Sequence, residues 1–122
     1  MKTKTIELPL YKCSPIFLWD CTATEMVKWV KDKENIEIED LEHFVHAEGT
    51  VLTFDTDDGI LRIVWIRDRK LTPVSIGRAV HEITHLCVRI LEHKGVPYDS
   101  YRNADESLAY MVDFFTRELY KK

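Results

Sequence analysis

A chain of 122 residues, 45% of them apolar, supplies one core and one domain, expected to span residues 1–122. Its formal net charge of −4 leaves no basic excess for nucleic acid or an anionic membrane surface, so neither is expected as a partner. No apolar run approaches the length of a membrane span, and the opening MKTKTIELPLYKC lacks the apolar stretch of a signal peptide.

Taken in chain order, residues 5–11 (TIELPLY) read as an opening strand and residues 15–21 (PIFLWDC) as a second, rich in apolar and aromatic side chains. Thr22 or Thr24 can cap a helix running to about Lys33, with Met26, Val27, Trp29 and Val30 at helical spacing. Residues 36–47 carry an acidic run that fits either a helical turn or a loop. Residues 50–54 and 60–66 are β-prone runs flanking Asp55-Thr56-Asp57-Asp58-Gly59, which has turn composition, so they form a hairpin. Read as a calcium loop from Asp55, the same stretch fails, because its sixth and twelfth positions are Ile60 and Ile66. Pro73 opens a long amphipathic helix that ends before Gly95 and Pro97. After a polar, aromatic loop, a last helix covers about 104–120. Strands and a helix, then a hairpin, then two helices indicate an α+β fold with a small, mostly antiparallel sheet.

The three cysteines, Cys13, Cys21 and Cys87, form no CxxC and fit free thiols in a reducing, cytoplasmic compartment. Trp19, Trp29 and Trp65 are not interleaved with basic residues and read as packing groups, and His43 and His46 as surface histidines.

The long helix carries His81-Glu82-Ile83-Thr84-His85, an H-E-x-x-H sequence. Each helical residue turns about 100°, so histidines four apart lie about 40° from each other and can reach one ion. Zn²⁺ accepts such nitrogen ligands, and one Zn²⁺ is the expected cofactor. Glu82 shares their surface and is placed to take a proton from the water that the ion activates. Ala79, Val80, Ile83, Leu86, Cys87, Ile90 and Leu91 fall on one stripe of the wheel, and the histidines project from the opposite side. The competing reading is a solvated polar face shared with Arg78, Arg89 and Glu92.

A catalytic zinc needs a third protein ligand. His93 lies about 12 Å along the same helix from His85 and some 80° around it, too far to share the ion. Cys87 faces the apolar stripe. Val88 and Leu91 occupy the positions where the metzincin pattern requires glycine and histidine. Glu106, in the first turn of the last helix and opposite its stripe of Leu108, Met111, Val112, Phe115 and Leu119, is the better ligand, with Asp105 as the alternative. An acidic residue there also suits the helix macrodipole without any metal.

With these residues in place, the chain resembles the gluzincins, zinc peptidases with H-E-x-x-H on one helix and a ligand glutamate on a following one. It looks most like the small gluzincin-like peptidases of phages and prophages. The likeness lies in VWIRDRKLTPVSIGRAVHEITHLCVRILEHKG and NADESLAY, within residues 59–121. A more remote likeness is to the ImmA/IrrE regulatory proteases, where alanine follows the ligand glutamate by three residues, as Ala109 follows Glu106. The resemblance implies a minimal zincin-like metallopeptidase domain, its sheet packed on the active-site helix and the C-terminal helix. It implies His81, His85 and Glu106 as metal ligands, Glu82 as general base, and an edge strand at residues 61–66 that holds a protein or peptide substrate by main-chain pairing. It implies a bacterial host's cytoplasm as the setting, and a tyrosine or histidine to stabilise the oxyanion, with Tyr98, Tyr101, Tyr110 and His93 as candidates. One departure is Tyr110, where larger gluzincins often place an acidic residue that orients a histidine. Outside that class stand a non-catalytic zinc-binding or interaction protein with the same fold, and a zinc hydrolase of a non-peptide substrate.

Overall fold

The computed structural model describes residues 1–95 and 102–121. Four strands, β1 (Lys2–Thr5), β2 (Ile16–Trp19), β3 (Gly49–Thr56) and β4 (Gly59–Ile66), form one sheet in the order β1-β2-β4-β3. β1 pairs antiparallel with β2, β2 parallel with β4, and β4 antiparallel with β3. The helices are α1 (Ala23–Glu34), the single turn α2 (Leu41–Phe44), α3 (Pro73–His93) and α4 (Arg102–Tyr120). The fold is α+β, with a small mixed sheet in which two of the three pairings are antiparallel.

Alternation along the central strands sends side chains to two separate cores. Leu18, Ile63 and Trp65 pack with Ala23, Met26 and Val30 of α1. Phe17, Trp19, Val64 and Ile66 pack with Ile83, Leu86 and Ile90 of α3 and with Met111, Phe115 and Leu119 of α4. Helices therefore cover both faces, where the sequence pointed only to the layer of α3 and α4. This is why β2 and β4 read as near-continuous apolar runs.

Local chemistry fixes most element ends. The Thr22 hydroxyl accepts from the Glu25 N–H and the Glu25 carboxylate accepts from the Thr22 N–H, a reciprocal box that opens α1. The Thr72 hydroxyl accepts from the Ser75 N–H and Pro73 occupies the first turn, where its missing N–H costs nothing. The β3–β4 connection is tighter than the five-residue stretch suggested, because strand pairing continues to Thr56↔Gly59 and only Asp57 and Asp58 remain in the turn. Gly59 adopts φ 117°, open to glycine and strained for other residues.

The opening strand read over residues 5–11 is not one element. β1 ends at Thr5, and Pro9–Tyr11 form a 3₁₀ turn. Proline has no N–H to give a ladder, and Lys12 then reverses the chain in the left-handed region at φ 50°. Residues 36–47 contain the short α2, and Arg67 ties this region down by donating to the carbonyls of Val45 and Ala47 at 2.9 Å each.

The strand leading to α3 is not a sheet edge. β4 has β2 on one side and β3 on the other, so β3 is the free edge beside α3. Arg67 N–H donates to the Glu48 carbonyl at 2.9 Å. Antiparallel alternation from that bond points the backbone groups of Gly49, Val51, Thr53 and Asp55 away from β4. No helix among the described residues is long and apolar enough to cross a membrane.

Candidate functional site

α3 buries Ala79, Ile83, Leu86, Cys87, Ile90 and Leu91 and leaves His81 and His85 exposed. One helical turn thus presents both imidazoles together. Their Nε2 atoms are 3.2 Å apart, with ring centroids 4.7 Å apart and planes at 85°. Two nitrogens bound tetrahedrally to one zinc at ordinary bond length stand about 3.3 Å apart. The separation matches that of two ligands on a single ion, and as the rings stand it is bridged by a hydrogen bond between the two imidazoles.

Glu82 lies against β3, half-buried. A Cβ added at Gly49 would come within 2.9 Å of Glu82 Cγ and 2.8 Å of the Trp65 carbonyl oxygen. Gly49 is therefore the residue whose lack of a side chain lets the carboxylate arm lie along the strand. Burial raises the pKa of Glu82, opposed by the neighbouring His81, His85 and Arg89. A cleft of about 510 Å³ opens between the start of β3 and the first half of α3, lined by Glu48, Gly49, Gly77, Arg78, His81 and Glu82. Arg78 pairs with Glu48 at 3.4 Å across it. Further along, Arg89 Nη1 donates to the outward carbonyl of Val51 at 2.6 Å, fixing α3 to the free strand edge. The Thr84 hydroxyl is occupied by the Val80 carbonyl at 2.7 Å and takes no part in the cleft.

His81, Glu82 and His85 are brought together; among the described residues the other sequence candidates are not. Glu106 is exposed near the start of α4, and among the described residues no three histidine, cysteine, aspartate or glutamate side chains converge to hold a metal ion. Tyr98 and Tyr101, and the side chain of Asp105, lie outside the described residues. Tyr110 stacks on Phe114 with centroids 6.2 Å apart and lines a separate cleft along α4. Cys87 is buried in the core, its thiol pushed up to about 12 by that burial, which suits a packing role. His93 is exposed at the far end of α3. Gly49 and the Arg89–Val51 contact carried no sequence signal, since each depends on how β3 approaches α3.

Comparison with family models, with curated proteins and with solved structures found no match. The likeness to gluzincins therefore stands on the motif residues themselves.

The close approach at Gly49 makes a signed prediction. Gly49→Ala must displace either a backbone carbonyl or Glu82, and is expected to cost about 1–3 kcal/mol in urea denaturation. Gly77, within α3, has nothing within 4 Å of its added Cβ. Gly77→Ala is expected to stabilise by about 0.5–1 kcal/mol, as alanine does in a helix interior. Equal effects from the two substitutions would rule out the close packing at Gly49.

Proposed function

We propose that this chain is a zinc-dependent metallopeptidase of gluzincin type that hydrolyses peptide bonds of a protein or peptide in a bacterial cytoplasm. The observation that carries the reading is the pair of exposed imidazole nitrogens 3.2 Å apart, with the Glu82 carboxylate on the adjoining surface beneath a free strand edge. His81 and His85 would hold the ion, with Glu106 as third ligand and Asp105 as the alternative. Zinc held there supplies Lewis acidity toward a carbonyl oxygen and acidifies water. Glu82 accepts the proton of the attacking water and returns it to the leaving amine, a transfer aided by the burial that raises its proton affinity. An extended substrate pairs with the outward backbone groups of β3 on either side of Val51, whose carbonyl Arg89 already occupies. Tyr98, Tyr101 and Tyr110 are candidates to stabilise the oxyanion.

Calorimetric titration of metal-free protein with zinc tests the site directly. One zinc per chain is expected, and His81→Ala or His85→Ala should each weaken uptake by more than the about 10–100-fold that follows loss of an outer-shell partner. Glu106→Gln should weaken it as well; if Asp105→Asn does so instead, the third ligand is reassigned. Absence of stoichiometric uptake, or uptake indifferent to His81→Ala, sinks the proposal.

A second reading is a zinc-binding or interaction protein without turnover, favoured by the position of Glu106 outside any three-ligand group among the described residues. A zinc hydrolase of a non-peptide substrate would share the metal ligands but leave the β3 edge unused.

A further inference from the structure

Arg62 is a charge in a place where the strand pattern puts apolar residues. It shares a face of β4 with Val64 and Ile66, which are buried against the α3 side. Arg62 itself is only 7% exposed. No acceptor engages its guanidinium among the described residues, and its Nε is enclosed without a hydrogen-bond partner. Burial depresses its pKa, as it does for any cation taken out of water without a counter-charge. An unpaired buried cation is expensive to keep, which favours an anionic partner entering from the cleft that Arg62 lines.

The surroundings indicate what that partner is. Arg62 lines an open cleft of about 550 Å³ with Lys12 and Cys13 from the loop before β2, Asp58 from the β3–β4 turn, and His93 and Lys94 from the end of α3. Among the described residues lining the cleft, Lys12, Arg62 and Lys94 stand against Asp58, which leaves two positive charges unbalanced before His93 is counted. Burial keeps the Cys13 thiol in its protonated, neutral form, against the pull of Arg62 and Lys94. The carbonyl end of α3 disfavours anions, but its dipole amounts to about half a charge, less than the cation excess.

We propose that this cleft binds the phosphate group of a small ligand, with Arg62 as the buried anchor and Lys12 and Lys94 at its mouth. A phosphate monoester carries about −1.5 to −2 charge at neutral pH and matches the excess, whereas a carboxylate neutralises half of it. Guanidinium is the side chain whose fork of donors fits phosphate oxygens best. The volume leaves room for an organic portion beyond the phosphate. Nothing in this inference depends on zinc or on peptide cleavage.

The test is titration of the full chain with inorganic phosphate, glycerol phosphate and acetate, followed by amide NMR shifts and calorimetry. Saturable shifts centred on Lys12, Gly59 to Arg62 and His93 are expected. Lys12→Gln with Lys94→Gln, both at the surface, should weaken phosphate binding at least about tenfold, and Arg62→Met should abolish it. Arg62→Met should also unfold no more readily than the parent, because an unpaired buried charge is removed. Tighter binding of glycerol phosphate than of inorganic phosphate assigns the group to an organic ligand; equal binding assigns the free ion. The proposal is overturned if phosphate produces no saturable shift, if the lysine double variant binds as the parent does, or if acetate binds as tightly as phosphate.

Discussion

Glu82→Gln is expected to leave zinc uptake intact and to lower peptide hydrolysis by about 10²–10⁴-fold, the usual contribution of a positioned general base. Glutamine keeps the length and planarity of the glutamate arm, so it fits the space that Gly49 leaves beside it. It cannot hold the proton that the proposed hydrolysis would store between attack on the carbonyl and departure of the amine. Glu82 is half-buried and its burial disfavours the carboxylate, so neutral glutamine is not expected to destabilise the fold. The measurement is turnover of a fluorogenic peptide pool by zinc-loaded parent and variant, with zinc content determined on both. Equal turnover would mean that Glu82 is not the base. No turnover in either, with full zinc occupancy, would favour the non-catalytic reading.

Trp65→Ala carries the largest expected cost to stability. Trp65 is fully buried at the centre of the sheet and packs in the core beneath α1. Its Nε1 donates to the Cys21 carbonyl at 3.1 Å, joining the end of β2 to the strand beside it. Removal of a buried tryptophan side chain costs about 3–5 kcal/mol, and the abandoned carbonyl adds to it. Against a total stability of about 5–15 kcal/mol, this places the variant near the edge of folding. A fall in Tm of about 10–20 °C is expected for a domain of this size. Trp29, only partly buried on α1, provides the contrast, and its alanine variant should lose far less. Similar losses for the two would show that the core under α1 is not tightly packed.

What was readable in the sequence divides along the reach of the interactions involved. α3 was legible because its apolar period, its Thr72-Pro73 start and its H-E-x-x-H spacing are all local, and a helix converts local spacing into direction. The hairpin of β3 and β4 was legible for the same reason. The strand read over residues 5–11 failed at Pro9, whose missing N–H outweighed the β-prone residues around it. The free edge is β3 rather than β4 because sheet order is not a local property: β2, paired across 47 residues at Ile16↔Ile63, occupies the other side of β4. Whether Glu106 can join His81 and His85, as proposed, depends on how α4 approaches α3, which no spacing within either helix encodes. Arg62 carries no local signal, because a single charge in an apolar run reads as a surface position until the burial of its neighbours Val64 and Ile66 is known.

The parallel pairing of β2 with β4 also sets an order of assembly. The β3–β4 hairpin and the helices close over short stretches of chain, whereas β2 and β4 meet only after more than forty intervening residues have been gathered in. Contacts of low sequence separation form early and long-range parallel pairing forms late. His81 and His85 are set by one turn of helix, but Glu82 acquires its bed on Gly49 only when β3 reaches α3. A nascent chain can thus bring the two imidazoles together before the Glu82 carboxylate is aligned beside Gly49.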